Sequence, residues 1–219
     1  MSTREKRELL IFDLDGTLID SSEDIAWSVN RTLERLGIVP LPHGVILSYI
    51  GWGVKMLLEQ ALPEDRKELL NEAKGIFLDL YSRHLTVKTR PYPGVEETLH
   101  DLHGRGLKMA IVTNKPVAFT REILDTLSLT PLFTPILGGD SVRRKKPHPE
   151  SAETVLRSHS LSPAYALFIG DSRIDIETGK AACIDTIGAA YGFRGRGELE
   201  DAGADHIIDA FDELTTFVR

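Results

Sequence analysis

Short apolar runs recur along the chain, at residues 9–12, 109–112, 135–137, 166–169, 186–190 and 206–208, each closed by turn residues. Unbroken apolar character over three to five positions marks strands buried on both faces, as in a parallel sheet. Segments with helical spacing separate most of them, at 95–102, 121–127 and 151–156. Strand alternating with helix predicts an α/β fold, a doubly wound parallel sheet wrapped by helices. Ligands in such folds lie outside the carboxyl ends of the strands, so the residues there are the ones to read for chemistry.

The stretch 21–91 breaks the alternation, with several helical segments and no convincing strand. Ser21 and Asp24 suggest a capping box for a helix ending near Gly37, and 64–85 has a long helical period. The expectation is an all-helical cap domain at 21–91 inserted into a core of 1–20 and 92–219. Its hinges fall at Asp20-Ser21-Ser22 and Arg90-Pro91-Tyr92-Pro93-Gly94, where serines, prolines and a glycine interrupt the pattern.

Composition narrows the function class. The 219 residues allow one to two domains, and a formal net charge of -7 argues against general binding to nucleic acid or anionic membranes. Cys183 is the single cysteine, which excludes an intrachain disulfide, and its apolar neighbours predict that it is packed. Residues 1–8 are too charged to open a signal peptide, and no apolar run approaches membrane-spanning length, so a cytoplasmic location is expected.

Polar chemistry gathers where the apolar runs end. Asp13-Leu14-Asp15-Gly16-Thr17 follows the first run, and strand alternation sends Asp13 and Asp15 the same way while Leu14 turns to the core. Two close carboxylates are tolerable when a cation sits between them or one holds a proton. Taken alone, D-x-D-G also fits an acidic turn or a calcium loop. Thr113-Asn114-Lys115-Pro116 follows the second run, where a helix start would favour a phosphate, although taken alone Thr113-Asn114 reads better as an ordinary helix cap. Arg143-Arg144-Lys145-Lys146-Pro147 concentrates cations, or is a solvated loop, with Lys145 read as surface charge. Gly170-Asp171-Ser172-Arg173-Ile174-Asp175 puts two more carboxylates at a strand end that opens a helix, where they could simply complement its dipole. The four together on one rim are hard to reach by accident.

These motifs resemble those of the haloacid dehalogenase superfamily of aspartate-nucleophile phosphatases, over nearly the whole chain. Asp13 to Thr17 looks like its first motif, Thr113-Asn114 its second, Lys146-Pro147 its third and Gly170 to Asp175 its fourth. Ile50-Gly51-Trp52-Gly53 and Gly138-Gly139-Asp140-Ser141 are most similar to the phosphoglycolate phosphatase branch, although Ile174 stands where that branch often has Asn. The resemblance implies Asp13 as nucleophile, Asp15 as general acid and base, Thr113 and the Asn114 amide as phosphoryl donors, and Lys146 as charge neutraliser. It implies a magnesium ion (Mg2+) held by the Asp13 carboxylate, the Asp15 carbonyl and Asp171, with Asp175 in support. Gly51, Trp52 and Lys55 resemble a cap loop that reaches the active site, with Lys55 a candidate for a substrate carboxylate. A solvated Lys55 and a packed Trp52 explain that loop equally well.

The implied activity is magnesium-dependent hydrolysis of a small phosphorylated metabolite by a monomer or homodimer, with 2-phosphoglycolate the leading substrate. A sugar phosphomutase shares every core residue, and a pyrophosphatase or nucleotidase also fits. A regulatory protein that kept the fold and lost the chemistry is disfavoured by the complete set Asp13, Asp15, Thr113, Lys146, Asp171 and Asp175. The glycine-rich 192–197 reads as a loop.

Overall fold

The computed structural model describes residues 7–218, so residues 1–6 and 219, including most of the charged opening segment, lie outside the described residues. Six strands form one parallel sheet in the order β5-β4-β1-β6-β7-β8: β1 (Leu9–Phe12), β4 (Lys108–Val112), β5 (Ile136–Leu137), β6 (Ala166–Gly170), β7 (Asp185–Ala189) and β8 (His206–Ile208). Every apolar run read from the sequence is a strand of this sheet. Leu10 and Phe12 of β1 enter one hydrophobic cluster and Leu9 and Ile11 another on the opposite face, which is why the run shows no alternation. Helices α5 (Val95–Gly104) and α6 (Val117–Thr126) supply Leu99, Leu102, Ile123 and Leu124 to the first cluster, and α7 (Glu150–His159) supplies Ala152, Val155 and Leu156 to the second. Strand β1 is central, flanked by β4 and β6, so the ends of three adjacent strands open on one rim.

Between β1 and α5 the chain makes a two-stranded antiparallel ribbon, β2 (Ile19–Asp20) with β3 (Arg90–Pro91), which the sequence pattern did not reveal. All of the regular structure between those two strands is helical: α1 (Ser22–Arg35), α2 (His43–Tyr49), α3 (Val54–Ala61), a 3-10 turn over Glu64–Leu69 and α4 (Leu70–Ser82). The single helix expected at 64–85 is thus broken. Arg66 sits outside helical geometry at φ -127°, and Lys67 Nζ turns back to the Leu62 carbonyl at 2.9 Å, closing α3 instead of extending α4.

Two further expectations are corrected here. Ser21 precedes α1 but makes no side-chain cap, because its hydroxyl donates to the Asp15 carboxylate. Asp24 is fully buried and accepts from the Lys88 and Thr89 amides and the Thr89 hydroxyl, tying α1 to the returning chain. Cys183 is exposed. It follows α8 (Arg173–Ala181) in a left-handed turn at φ 58°, and its neighbours Ala182 and Ile184 take the buried positions. No helix of the described residues is long and apolar enough to cross a membrane.

Candidate active site

The ends of β1, β4 and β6 bring Asp13, Thr113 and Asp171 together on one rim, and the loop between β5 and α7 carries Lys146 beneath them. All four are buried. Lys146 Nζ donates to Asp13 Oδ1 and to Asp175 Oδ1, each at 2.6 Å. The other oxygen of Asp175 accepts from the Ser172 hydroxyl at 2.7 Å and the Ser172 amide at 3.2 Å, which locks the start of α8 and fixes Asp175 toward the lysine. Asp171 Oδ2 accepts from the Phe193 amide at 2.7 Å.

Glycines let these groups crowd. A Cβ on Gly170 would fall 2.2 Å from the Asp175 side chain, and one on Gly16, itself at φ 87°, would fall 2.2 Å from Asp171. Gly138 and Gly139 let the loop after β5 lie against the β4–α6 turn, where a Cβ would come within 2.4 Å of the Val117 nitrogen and 2.6 Å of the Asn114 carbonyl.

The electrostatics follow from burial. Desolvation raises the Asp13 carboxyl to about 7 against the opposing pull of Lys146, with Asp175 adding to the rise. Desolvation, then Asp175 and Asp13, push Asp171 well above the ordinary carboxylate range. Burial pulls Lys146 down, but Asp13 and Asp175 more than offset it, so the ammonium is held above the usual lysine range. Asp13, Asp171 and Asp175 each offer an oxygen within 4.8 Å of the others. Were all three carboxylates ionised against the single ammonium of Lys146, two negative charges would remain in a buried site, the deficit that a divalent cation cancels and that the raised pKa values of Asp13 and Asp171 reflect. This hard, all-oxygen donor set suits such an ion. β1 ends at Phe12, so strand alternation does not carry Asp15 into this cluster as the sequence predicts; its carboxylate lines the cavity beside it, pairing with Lys115 Nζ at 2.5 Å and with Ser21.

The helical insert covers the site. Its α2–α3 loop is gripped by the core through three successive carbonyls: Arg194 donates to Ile50, Asn114 to Gly51 at 2.8 Å, and Lys145 to Trp52. Lys145 is therefore not the free surface charge read from the sequence. It is half-buried, and burial with the nearby Lys55 charge lowers its pKa. The cavity is lined by Asp13, Asp15, Thr113, Asn114, Lys146, Asp171 and Asp175 below, and by Ile25, Val54, Leu57, Phe77 and Tyr81 above. Gly51 lines it. Trp52 and Lys55 do not, and Lys55 is exposed.

The comparisons with known proteins agree with this geometry. Residues 10–189 match the family model described as haloacid dehalogenase-like hydrolase. The chain belongs to that family. Among relatives of the haloacid dehalogenase-like hydrolases, a phosphoglycolate phosphatase of Psychrobacter arcticus is 39% identical over 220 residues, covering 97% of this chain and 96% of the relative. A phosphoglycolate phosphatase of Aquifex aeolicus is 40% identical over 185 residues, covering 84% and 85%. The crystal structure of a predicted phosphoglycolate phosphatase from Haemophilus somnus superposes with a TM-score of 0.91 at 31% identity, covering 99% of both chains.

The sequence gives no site role to several lining residues, among them Lys115, Tyr81, Phe193 and Arg194. Lys115 stood beside the second motif without a role. Phe193 and Arg194 lay in the glycine-rich stretch read as a loop, whose last glycines open α9 (Gly195–Ala202). Position along the chain carried no signal for Tyr81 beyond helical period.

Proposed function

We propose that this protein hydrolyses a small phosphomonoester, with 2-phosphoglycolate the leading substrate, through a phosphorylated Asp13. The observation that carries the reading is the buried set Asp13, Lys146, Asp171 and Asp175, gathered on one rim of the sheet. The proposed division is a core of 1–20 and 92–219 and a cap of 21–91, joined at the β2–β3 ribbon.

An attacking carboxylate and a phosphate repel by about 4 kcal/mol per pair of unit charges at ~4 Å and an effective dielectric near ~20. Asp13, Asp171 and Asp175 would hold magnesium, with the Asp15 carbonyl, and bound magnesium supplies charge neutralisation and orients the phosphate. The Asp13 oxygen forms a bond to phosphorus as the ester oxygen leaves, and Asp15 delivers a proton to that oxygen. Water then attacks the phosphorus of the Asp13 phosphate, Asp15 removes its proton, and the Asp13 carboxylate is regenerated. The Thr113 hydroxyl and the Asn114 amide donate to the phosphoryl oxygens, and Lys146 holds Asp13 in place while countering charge. The apolar cap residues exclude bulk water.

Phosphate release across a panel of 2-phosphoglycolate, sugar phosphates, nucleotides and pyrophosphate tests the substrate. A clear kcat/KM lead for 2-phosphoglycolate is expected. A lead for a sugar phosphate, with isomer formation exceeding phosphate release, would replace the reading with the mutase.

A further inference from the structure

The catalytic groups occupy the floor of the cavity, yet one buried cation above them has no part in the reaction described. Lys115 is 6% exposed, at the end of β4. Its ammonium bonds Asp15 and lies 5.0 Å from the ring centre of Tyr81, which α4 contributes from the helical insert. The Tyr81 side chain is also buried, at 2% exposure, and apart from the adjacent Lys115 ammonium its hydroxyl has no hydrogen-bond partner among the described residues. A buried hydroxyl with no acceptor for its own proton is costly, by about 1–3 kcal/mol, and both groups line the cavity. An ammonium from the core and a hydroxyl from the insert thus converge on one space.

The leaving oxygen must lie beside Asp15 to receive its proton. Whatever that oxygen carries then lies away from Asp13, toward Lys115 and the insert. Of the cations lining the cavity, Lys146 lies on the floor between Asp13 and Asp175 and Arg194 binds the Ile50 carbonyl, whereas Lys115 is bonded to Asp15 itself and so stands beside the position of the leaving oxygen. In an ester whose leaving group is a 2-hydroxy carboxylate, the carboxyl carbon is next but one to the leaving oxygen. We infer that Lys115 and Tyr81 form the subsite for that carboxylate, Lys115 pairing with its charge and the Tyr81 hydroxyl donating to its second oxygen. This deepens the proposed function and rests on it. It replaces the exposed Lys55 as the carboxylate-reading residue, and it makes recognition depend on insert and core meeting.

The test compares kcat/KM for 2-phosphoglycolate and for 2-hydroxyethyl phosphate, which differs by a hydroxymethyl in place of the carboxylate. Wild type, Lys115→Met and Tyr81→Phe are measured, with melting curves to check folding. Wild type is expected to prefer the carboxylate ester by about 100-fold or more, because only that ester brings the Lys115 ammonium a second charged partner and the Tyr81 hydroxyl an ionic acceptor. The ratio should fall about tenfold in Tyr81→Phe and approach unity in Lys115→Met. Taking the ratio cancels any general effect of losing the Lys115–Asp15 pair. Tyr81→Phe removes one oxygen only and carries the test alone if Lys115→Met does not fold. A wild-type preference left intact in the folded variants would overturn the subsite and leave the phosphatase reading standing. Equal hydrolysis of both esters by wild type would overturn the substrate assignment and the subsite with it.

Discussion

At Asp13, burial and function pull in opposite directions. The proposed nucleophile, Asp13, must be ionised, but desolvation raises its pKa to about 7 from an ordinary value of 3.8. The metal-free folded state therefore binds a proton at Asp13 that the unfolded chain releases at lower pH. Stability from this group is full below about 4 and is lost as pH rises through about 7. Thermal melts of metal-free protein should show Tm falling across that window, and Asp13→Asn should flatten the fall. A Tm that rises across the window equally in both proteins would contradict this. Lys146 lies between Asp13 and Asp175 and supplies the ammonium that both carboxylates share. Lys146→Ala should lower kcat/KM by about 100-fold or more, with the circular dichroism spectrum retained. Near-wild-type activity would require Lys145 or Arg144 to serve instead. Lys145 is engaged with the insert, and Arg144 is exposed.

Among the elements, the strands and the motifs at their ends were legible in the sequence, and the contacts between distant segments were not. The apolar runs named all six sheet strands because burial on both faces leaves a local signature. Asp13, Thr113, Lys146, Asp171 and Asp175 were legible because each follows such a run or stands at a proline or helix start. The two-residue strands of the ribbon carry too little sequence to show a period. Ser21 and Asp24 have the composition of a cap, yet better partners at Asp15 and at Lys88–Thr89 claim their side chains. Lys115, Tyr81 and Arg194 gain meaning only when the insert folds over the rim, as does the three-carbonyl grip on the α2–α3 loop. That grip gives an expectation of its own. Lys145→Ala should raise KM several-fold and speed amide exchange in residues 50–54, with little change in global Tm, since only one of the three donors is lost. Unchanged exchange there would mean that the contact does not hold the loop.

Across the whole molecule, a rigid parallel sheet carries the charged groups and a separate helical layer supplies the apolar roof. The sheet fixes Asp13, Thr113 and Asp171 through neighbouring strands, so their spacing survives movement of the insert. The insert meets this chemistry at the hydrogen bond from Ser21 to Asp15, at Tyr81 over Lys115 and at the gripped loop, so its placement and the setting of Asp15 are physically linked. The most direct test of the account is phosphate release from 2-phosphoglycolate by wild type and Asp13→Asn, each with magnesium and with a chelator. Rapid release by wild type with magnesium is expected, with a loss of about 10,000-fold or more in Asp13→Asn and on chelation. Release that persists in Asp13→Asn, or that is indifferent to the chelator, would contradict it.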